Sequence, residues 1–530
     1  MTEPLSRRRF LGAAVQTGIG AAVASGGALG ASLRSVAAAA PVATTPRLAA
    51  SPPTAASPGT PPGYWSLVSR PDLKPPQMAV TTAPGATLPG EPGYIFSGVT
   101  TAPGGTYPAG AQGGLMISTR LGELVWFQPL FGPSNLPFNF RTQTYNGKQV
   151  LTWFQGILGP GFGLGGQYRI MDTSYSPVTS FSAIGYESDL HEFLLTPQGT
   201  ALVSAYESRN NGQLIICHAQ EIDVASRQLV WEWDSSVIPL SDSYIPDTGD
   251  TFHLNSIDPW PDPSLPSDRW DFLISGRQVS AVYRISRATK AIVWQAGGKR
   301  STLNMVGPAT RFEFQHDARA LPDASGFSVF DDASQNPLQV PAVTPEKQSW
   351  GKVFNLDTSA KEVTIRHQYN NTNMHIQTGS QGNVQLLPTG GHMVGFGAAN
   401  AFSEFGPSGA AVEAPMILDG RFPVGVESYR VFLNDWSATP PVSELAFTVQ
   451  RGSAPGAFTG FASWNGATAV TTWQVLAGTS GNALQPVLTA AKTRFETTIP
   501  FTASGATQFQ VAAYDTNGNL LGTSPAAAAV

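Results

Sequence analysis

The sequence predicts an all-β protein: a six-bladed β-propeller followed by a C-terminal β-sandwich of the fibronectin type III or immunoglobulin kind. Two interleaved repeats and one change of texture near residue 439 carry that reading. The first repeat is a histidine frame. His191 in HEFLLTP, His253 in HLNSIDP and His316 in HDARALP each stand six residues before a proline, and the prolines are 62 and 63 residues apart. Pro388 follows 66 residues later in GNVQLLPTGG, where Gly382 takes the place of the histidine. The second repeat is a tryptophan after an apolar pair: Trp126 in GELVWFQ, Trp231 in RQLVWEW and Trp294 in KAIVWQA, the last two again 63 apart. A fixed period with strand-like content is the signature of radial repetition.

The strands themselves are read from alternation. From about residue 90 to 436 short runs such as QVLTWFQG, GTALVSAYE and DFLISGR alternate apolar and polar residues and are cut by Gly, Pro and Asn-Gly turns, the pattern of hairpins rather than helices. Only 13% of residues are charged, against 55 glycines and 43 prolines, which again favours many short strands. A span of roughly 370 residues divided by the period gives about six blades, each longer than a typical four-stranded blade because of extended loops. From residue 439 onward ELAFTVQRG, ATAVTTWQVLAG, RFETTIPF and TQFQVAAYDTNGNLLG read as regularly spaced strands, with Trp473 expected in a sandwich core.

The predicted organisation is therefore a signal peptide over 1–40, a Pro/Ala-rich linker over 41–62, a propeller over 63–438 and a sandwich over 439–530. The signal is of the twin-arginine (Tat) type: Ser6–Gly12 reads SRRRFLG before an Ala/Gly/Val stretch too dilute to span a membrane. It implies the Tat export machinery as a partner, cleavage near residues 37–40, a secreted or cell-envelope location and no membrane association after cleavage. The single cysteine, Cys217, cannot form an internal disulfide and is expected to be a buried core residue. Past residue 40 the chain holds 27 basic and 35 acidic residues, net −8, a poor balance for nucleic acid or anionic membranes.

Equivalent positions in successive blades converge on one axis, so the three registered histidines share one pocket on this reading. Three explanations compete: blade packing, a three-imidazole metal site, and an anion-handling catalytic pocket. Asn255 beside His253 and Arg277 in LISGRQVS favour the third, because a guanidinium opposes a divalent cation and suits an oxyanion. His218, His375 and His392 lie outside the register and are expected to be structural, although His375 falls about one period after His316. No phosphate-cradling glycine loop, G-x-S-x-G elbow or CxxC pair is present, and no cofactor is implied. Phe154, Phe314 and Phe330 are candidate ring-stacking residues, with core packing expected for each.

The frames SRPDLKPP, DLHEFLLTPQG, FHLNSID, ISGR, FQHDARALPD and VQLLPTGG resemble those of the bacterial arylsulfate sulfotransferases, over roughly residues 65 to 436. The resemblance implies a six-bladed propeller whose central channel binds an aryl sulfate, and sulfuryl transfer to a phenol through a sulfohistidine without a nucleotide. It further implies His316 as nucleophile, with His191, His253 and Arg277 polarising the sulfate and Asn255 binding it. The best-known members carry a disulfide and an N-terminal sandwich, which this chain does not match. The competing readings are a non-catalytic exported propeller that binds carbohydrate or protein, and a histidine-ligated metal-dependent hydrolase or oxidase.

Overall fold

The structure is a computed structural model describing residues 63–530, apart from 84, 87, 89–92, 102–105, 109, 160–162, 334–347, 410 and 480–483. The expected Tat signal and the linker lie outside the described residues. The described residues belong to one compact all-β unit. Their helices are three-residue 3₁₀ turns, as the scarcity of helix formers requires.

Six sheets of four or five strands lie between Ala79 and Asn434. Each contributes one edge strand to a closed ring: β1 (Leu136–Tyr145), β2 (Glu187–Leu195), β3 (Leu254–Trp260), β4 (His316–Ala320), β5 (Asn383–Leu386) and β6 (Glu427–Asn434). In three sheets the chain starts at this strand and meanders outward; in two more it does so for four strands, and the outermost fifth strand, Asn304–Met305 or Ala79–Thr82, comes from earlier in the chain. The sixth is closed across the chain: β6 pairs antiparallel with Tyr94–Thr100, from Tyr94↔Asn434 to Thr100↔Glu427. The six edge strands touch in cyclic order, β1 to β2 and onward to β6, which returns to β1. The tryptophans of the second repeat lie on the opposite, outermost strands, Leu124–Pro129, Leu229–Asp234 and Ile292–Gly297. Both repeats thus mark the same unit, one at its inner edge and one at its outer edge.

Five of the six inner strands carry a bulge. The register slips between Phe138 and Arg141 in β1, between Ser188 and Phe193 in β2, at Asn255 in β3, between His316 and Arg319 in β4, and between Ser428 and Val431 in β6. Asn139 (φ 58°) and Asp317 (φ 54°) are left-handed within these bulges. A bulge leaves residues unpaired and re-aims their side chains. Here it brings Glu192, Asp317 and Arg430 together in the ring. Glu192 of β2 meets Arg141 of β1 at 3.0 Å, Arg319 of β4 at 2.7 Å and Arg430 of β6 at 3.5 Å. Asp317 of β4 meets Arg319 at 2.6 Å and Arg430 at 3.2 Å, and accepts the Val384 N–H of β5 at 3.1 Å. Arg430 donates to Asn139 Oδ1 of β1 (2.7 Å) and to the Asn255 carbonyl of β3 (2.8 Å). All six strands are tied into one buried ionic layer. Burial alone would raise the Glu192 carboxyl, but Arg319, Arg430 and Arg141 outweigh it and hold the group below its ordinary range.

Beyond residue 444 the strands form two further sheets, one of three strands (Leu445–Arg451, Ala457–Trp464, Glu496–Thr502) and one of four (Gln485–Ala491, Thr472–Gly478, Gln508–Tyr514, Leu520–Thr523). Their shared core includes Phe458, Val475, Ile499 and Phe509 around Trp473. The Trp473 indole is fully buried and its N–H crosses to Thr497 Oγ1 of the other sheet at 3.1 Å. This pair of sheets is fastened to the first six through polar contacts. Asn465 pairs with both backbone groups of Phe127 (3.0 Å each), Tyr175 Oη donates to the Gly466 carbonyl at 3.1 Å, and Ser69 and Arg70 of SRPDLKPP bond Glu496 and Glu444.

Removing one member of a buried charge cluster leaves its partners unpaired and desolvated. Glu192→Ala should therefore destabilise the fold by about 3–5 kcal/mol, measured by urea denaturation. A loss below about 1 kcal/mol, the range of surface pairs, would contradict the role given to the layer.

Candidate active site

The register of the histidines becomes a position in the fold. His316 is the first residue of β4, His253 immediately precedes β3, and His191 is the fifth residue of β2. They stand beside the ionic layer, His253 and His316 at the N-terminal ends of their strands and His191 at the centre of its own, next to Glu192. The fourth frame position, Gly382, precedes β5 with φ 109°, and a Cβ there would lie 2.5 Å from the Phe330 ring. A histidine there would have to displace the Phe330 ring and adopt a strained positive φ, which accounts for the break in the series.

Each imidazole is fixed through Nδ1 by its own carboxylate. His191 pairs with Asp189 at 2.7 Å, His253 with Asp250 at 2.5 Å and His316 with Asp332 at 2.8 Å. Asp189 is in turn held by the Gly163 and His191 N–H groups and the Ser204 hydroxyl (2.7, 3.0 and 2.7 Å). The rings converge. His191 and His253 are 4.7 Å apart in an edge-on arrangement, and Tyr429 lies edge-on to His191 (5.6 Å) and to His316 (6.3 Å). The Tyr206 ring packs near both His191 and His253. Tyr429 Oη is buried without a hydrogen-bond partner among the described residues, so the phenol is available to a ligand.

The tautomer of His316 follows from its two contacts. The Gln381 backbone N–H donates to Nε2 at 3.3 Å, so Nε2 carries the lone pair. Nδ1 then bears the hydrogen and donates to Asp332, whose carboxyl is raised well above its ordinary range by burial, against the pull of Arg277. Burial, the Arg277 guanidinium and the neighbouring histidines push the basicity of His316 well below the ordinary histidine value. A neutral imidazole with an Nε2 lone pair is the nucleophilic form. Burial also lowers His253, against the opposing pull of Asp250.

Arg277 sits in the turn after Asp271–Gly276, where its N–H donates to the His253 carbonyl (3.0 Å). Its guanidinium stacks over Phe314 at 5.0 Å, has Nε 3.9 Å from Asp332 Oδ2, and donates to the Gly379 carbonyl (2.8 Å) and Gln278 (3.0 Å). Asn255 is placed differently from the others. Its side chain is fully buried, one amide N–H donates to the Gln315 carbonyl at 2.6 Å, and Oδ1 is unpartnered among the described residues. It anchors the residue before His316 while its own carbonyl receives Arg430. Of the three phenylalanines, Phe154 and Phe330 lie in hydrophobic cores and Phe314 supports Arg277. His375 is exposed; His218 bridges Glu207 and Glu232 and stacks on Tyr186, away from the cluster. Cys217 is buried, its sulfur 3.5 Å from the Leu254 N–H. Among the described residues no group of three or more His, Cys, Asp or Glu is arranged to hold a metal ion.

A neutral, carboxylate-oriented histidine facing an arginine and a free phenol suits attack on an electrophile bearing anionic oxygens. Residues 141–414, just over half the chain, match the family model described as Arylsulfotransferase (ASST). The chain belongs to the arylsulfotransferase family. Four of the inner strands and all the registered histidines fall within the matched residues. No curated protein matches. Among solved structures, the hydrazine synthase of Kuenenia stuttgartiensis is 12% identical (TM-score 0.32; 55% of this chain, 73% of that one). An exo-β-1,3-galactanase of Phanerochaete chrysosporium is 9% identical (TM-score 0.31; 76% and 98%), and Hsv2 of Kluyveromyces lactis is 9% identical (TM-score 0.31; 58% and 96%).

Sequence reasoning did not find Asp189, Asp250, Asp332, Tyr206 or Tyr429. Asp189 and Asp250 stand two and three residues before their histidines and were visible as local pairs. Asp332 reaches His316 only across the hairpin that pairs His316 with Phe330, and no spacing announces it. If Asp332 sets the tautomer, Asp332→Asn offers an amide N–H to Nδ1 and selects the wrong one. Arylsulfotransferase turnover should then fall by about 10²–10⁴ with little change in donor KM. Activity within about threefold of wild type, under 1 kcal/mol, would contradict the assignment.

Proposed function

We propose that the protein moves a sulfuryl group from an aryl sulfate to a phenolic acceptor through a sulfohistidine on His316. In this reading the six sheets are the blades of a propeller, the histidines face its axis, and the two C-terminal sheets are a β-sandwich. The cyclic contacts of the inner strands support that architecture, and the twin-arginine sequence supports export. The observation that carries the mechanism is the pair of contacts on His316: Nδ1 on Asp332 and Nε2 facing a donor. Family membership supports the substrate class.

In the first half-reaction the Nε2 lone pair attacks sulfur. The N–S bond forms, the S–O(aryl) bond breaks and the phenolate departs with its electron pair. Positive charge grows on the imidazole and is met by Asp332 through Nδ1–H. The sulfuryl oxygens take donors from Arg277, and from His191 and His253 through Nε2 when those rings are imidazolium, while Asn255 positions the residue before His316; such preorganised donors act where charge develops. In the second half-reaction an acceptor phenol oxygen attacks sulfur, its proton passes to a neighbouring base and the N–S bond breaks, restoring His316. The scheme balances without a nucleotide.

Incubation with aryl sulfate alone should give a labile adduct of ~80 Da, one SO₃ on a histidine, mapped to His316 by mass spectrometry and missing from His316→Asn. An adduct that persists in that variant would overturn the nucleophile. For Arg277→Ala, rapid-mixing kinetics should show the transfer step slowed by at least about tenfold; an unchanged step would remove Arg277 from the oxyanion set.

A further inference from the structure

A cavity of about 600 Å³ opens at the other end of the inner strands, with the ionic layer between it and the histidines. It is lined by the C-terminal halves of β1, β2, β4, β5 and β6 and contains none of His191, His253 or His316. Its volume falls in the range of small-molecule sites. Its walls mix apolar groups (Leu194, Leu321, Leu386, Phe432) with polar ones, and Arg141 and Arg319 lie at its floor.

The two arginines differ in what they leave free. Arg319 is engaged through all three nitrogens, to Asp317, Glu192, Asp258 and the Ile257 carbonyl. Arg141 engages Nη2 alone, with Glu192 at 3.0 Å and the Phe193 carbonyl at 2.6 Å. Arg141 Nε is buried with no hydrogen-bond partner among the described residues. The guanidinium carbon lies 5.1 Å from the centre of the Phe432 ring, a cation–π contact. His392 on the wall also has an unpaired Nδ1 and is held neutral, because burial lowers it to about 4. Among the described residues Asp317 is the one carboxylate lining the cavity, and it is neutralised by Arg319 and Arg430. A fixed cation with unspent donors beneath apolar walls recognises a planar or tetrahedral oxyanion on a hydrophobic body.

We propose that this cavity is a second ligand site, binding a small organic oxyanion (a carboxylate or sulfur oxyanion on an apolar body) through Arg141. The site is separate from the sulfuryl-transfer pocket and does not depend on that chemistry. Calorimetric titration of the full protein with benzoate and benzenesulfonate tests it, with benzamide as the neutral isostere. The titrations use the Arg277→Ala background, so that the histidine pocket lacks its guanidinium. Saturable one-to-one binding of either anion is expected, with benzamide weaker by at least about tenfold. The tighter of the two anions identifies the head group. Arg141→Gln disturbs the ionic layer and risks unfolding, so the decisive variant is Thr144→Trp, an exposed lining position that fills the mouth without touching the layer. It should abolish binding and leave the melting temperature unchanged. No binding of either anion, equal binding of benzamide, or binding retained in folded Thr144→Trp would each overturn the site.

Discussion

The buried ionic layer is the constraint on which the rest of the molecule depends. Three guanidiniums and two carboxylates sit where six strands meet, and each strand reaches the layer through a side chain or a backbone group. Glu192 and Arg430 have no solvent exposure at all. Charges so placed are tolerated only with near-complete pairing, so the ring has few alternative registers: slipping one inner strand by a residue would strand a charge. The bulges are the means of meeting this demand. A regular strand presents alternate residues to opposite faces, and only the extra residues at Asn139, Asn255, Asp317 and Arg430 let successive strands turn polar groups to the same side.

The active site inherits its precision from that layer. Asn255 joins the two directly, with its carbonyl on Arg430 and its amide on the Gln315 carbonyl next to His316. Asp317, one residue after His316, is locked by Arg319 and Arg430. The nucleophile is therefore placed by backbone that cannot shift without uncovering charge. The carboxylates at Nδ1 then do for chemistry what the layer does for geometry. They fix the tautomer of each ring and leave Nε2 turned to the same space. Burial first, and then the positive charge of Arg277 and its neighbours, keeps His316 neutral, which is the state a nucleophile requires.

Much of this was legible in the sequence because repetition marks position. The histidine frame located the inner strands and the Trp126, Trp231 and Trp294 frame the outer ones. The apolar pairs before two of those tryptophans misled in one respect: Leu229, Val230, Ile292 and Val293 are substantially exposed, and the indoles alone are buried. Gly382 had no explanation until the Phe330 ring was seen against it. Tyr429 and Asp332 left no trace, since one belongs to the ring-closing strand outside the register and the other acts across a hairpin. Contacts made by closure and by pairing at a distance have no local period, and those are the contacts that turn three histidines into a site.

The central claim is that His316 is held neutral, with its hydrogen on Nδ1 and its lone pair on Nε2. Nitrogen-15 NMR of histidine-labelled protein reads this directly, because protonated and unprotonated ring nitrogens differ widely in shift. At neutral pH the account predicts an unprotonated Nε2 and a protonated Nδ1 for His316, assigned by loss of the signals in His316→Asn. A protonated Nε2, whether as the other tautomer or as the imidazolium, would contradict it.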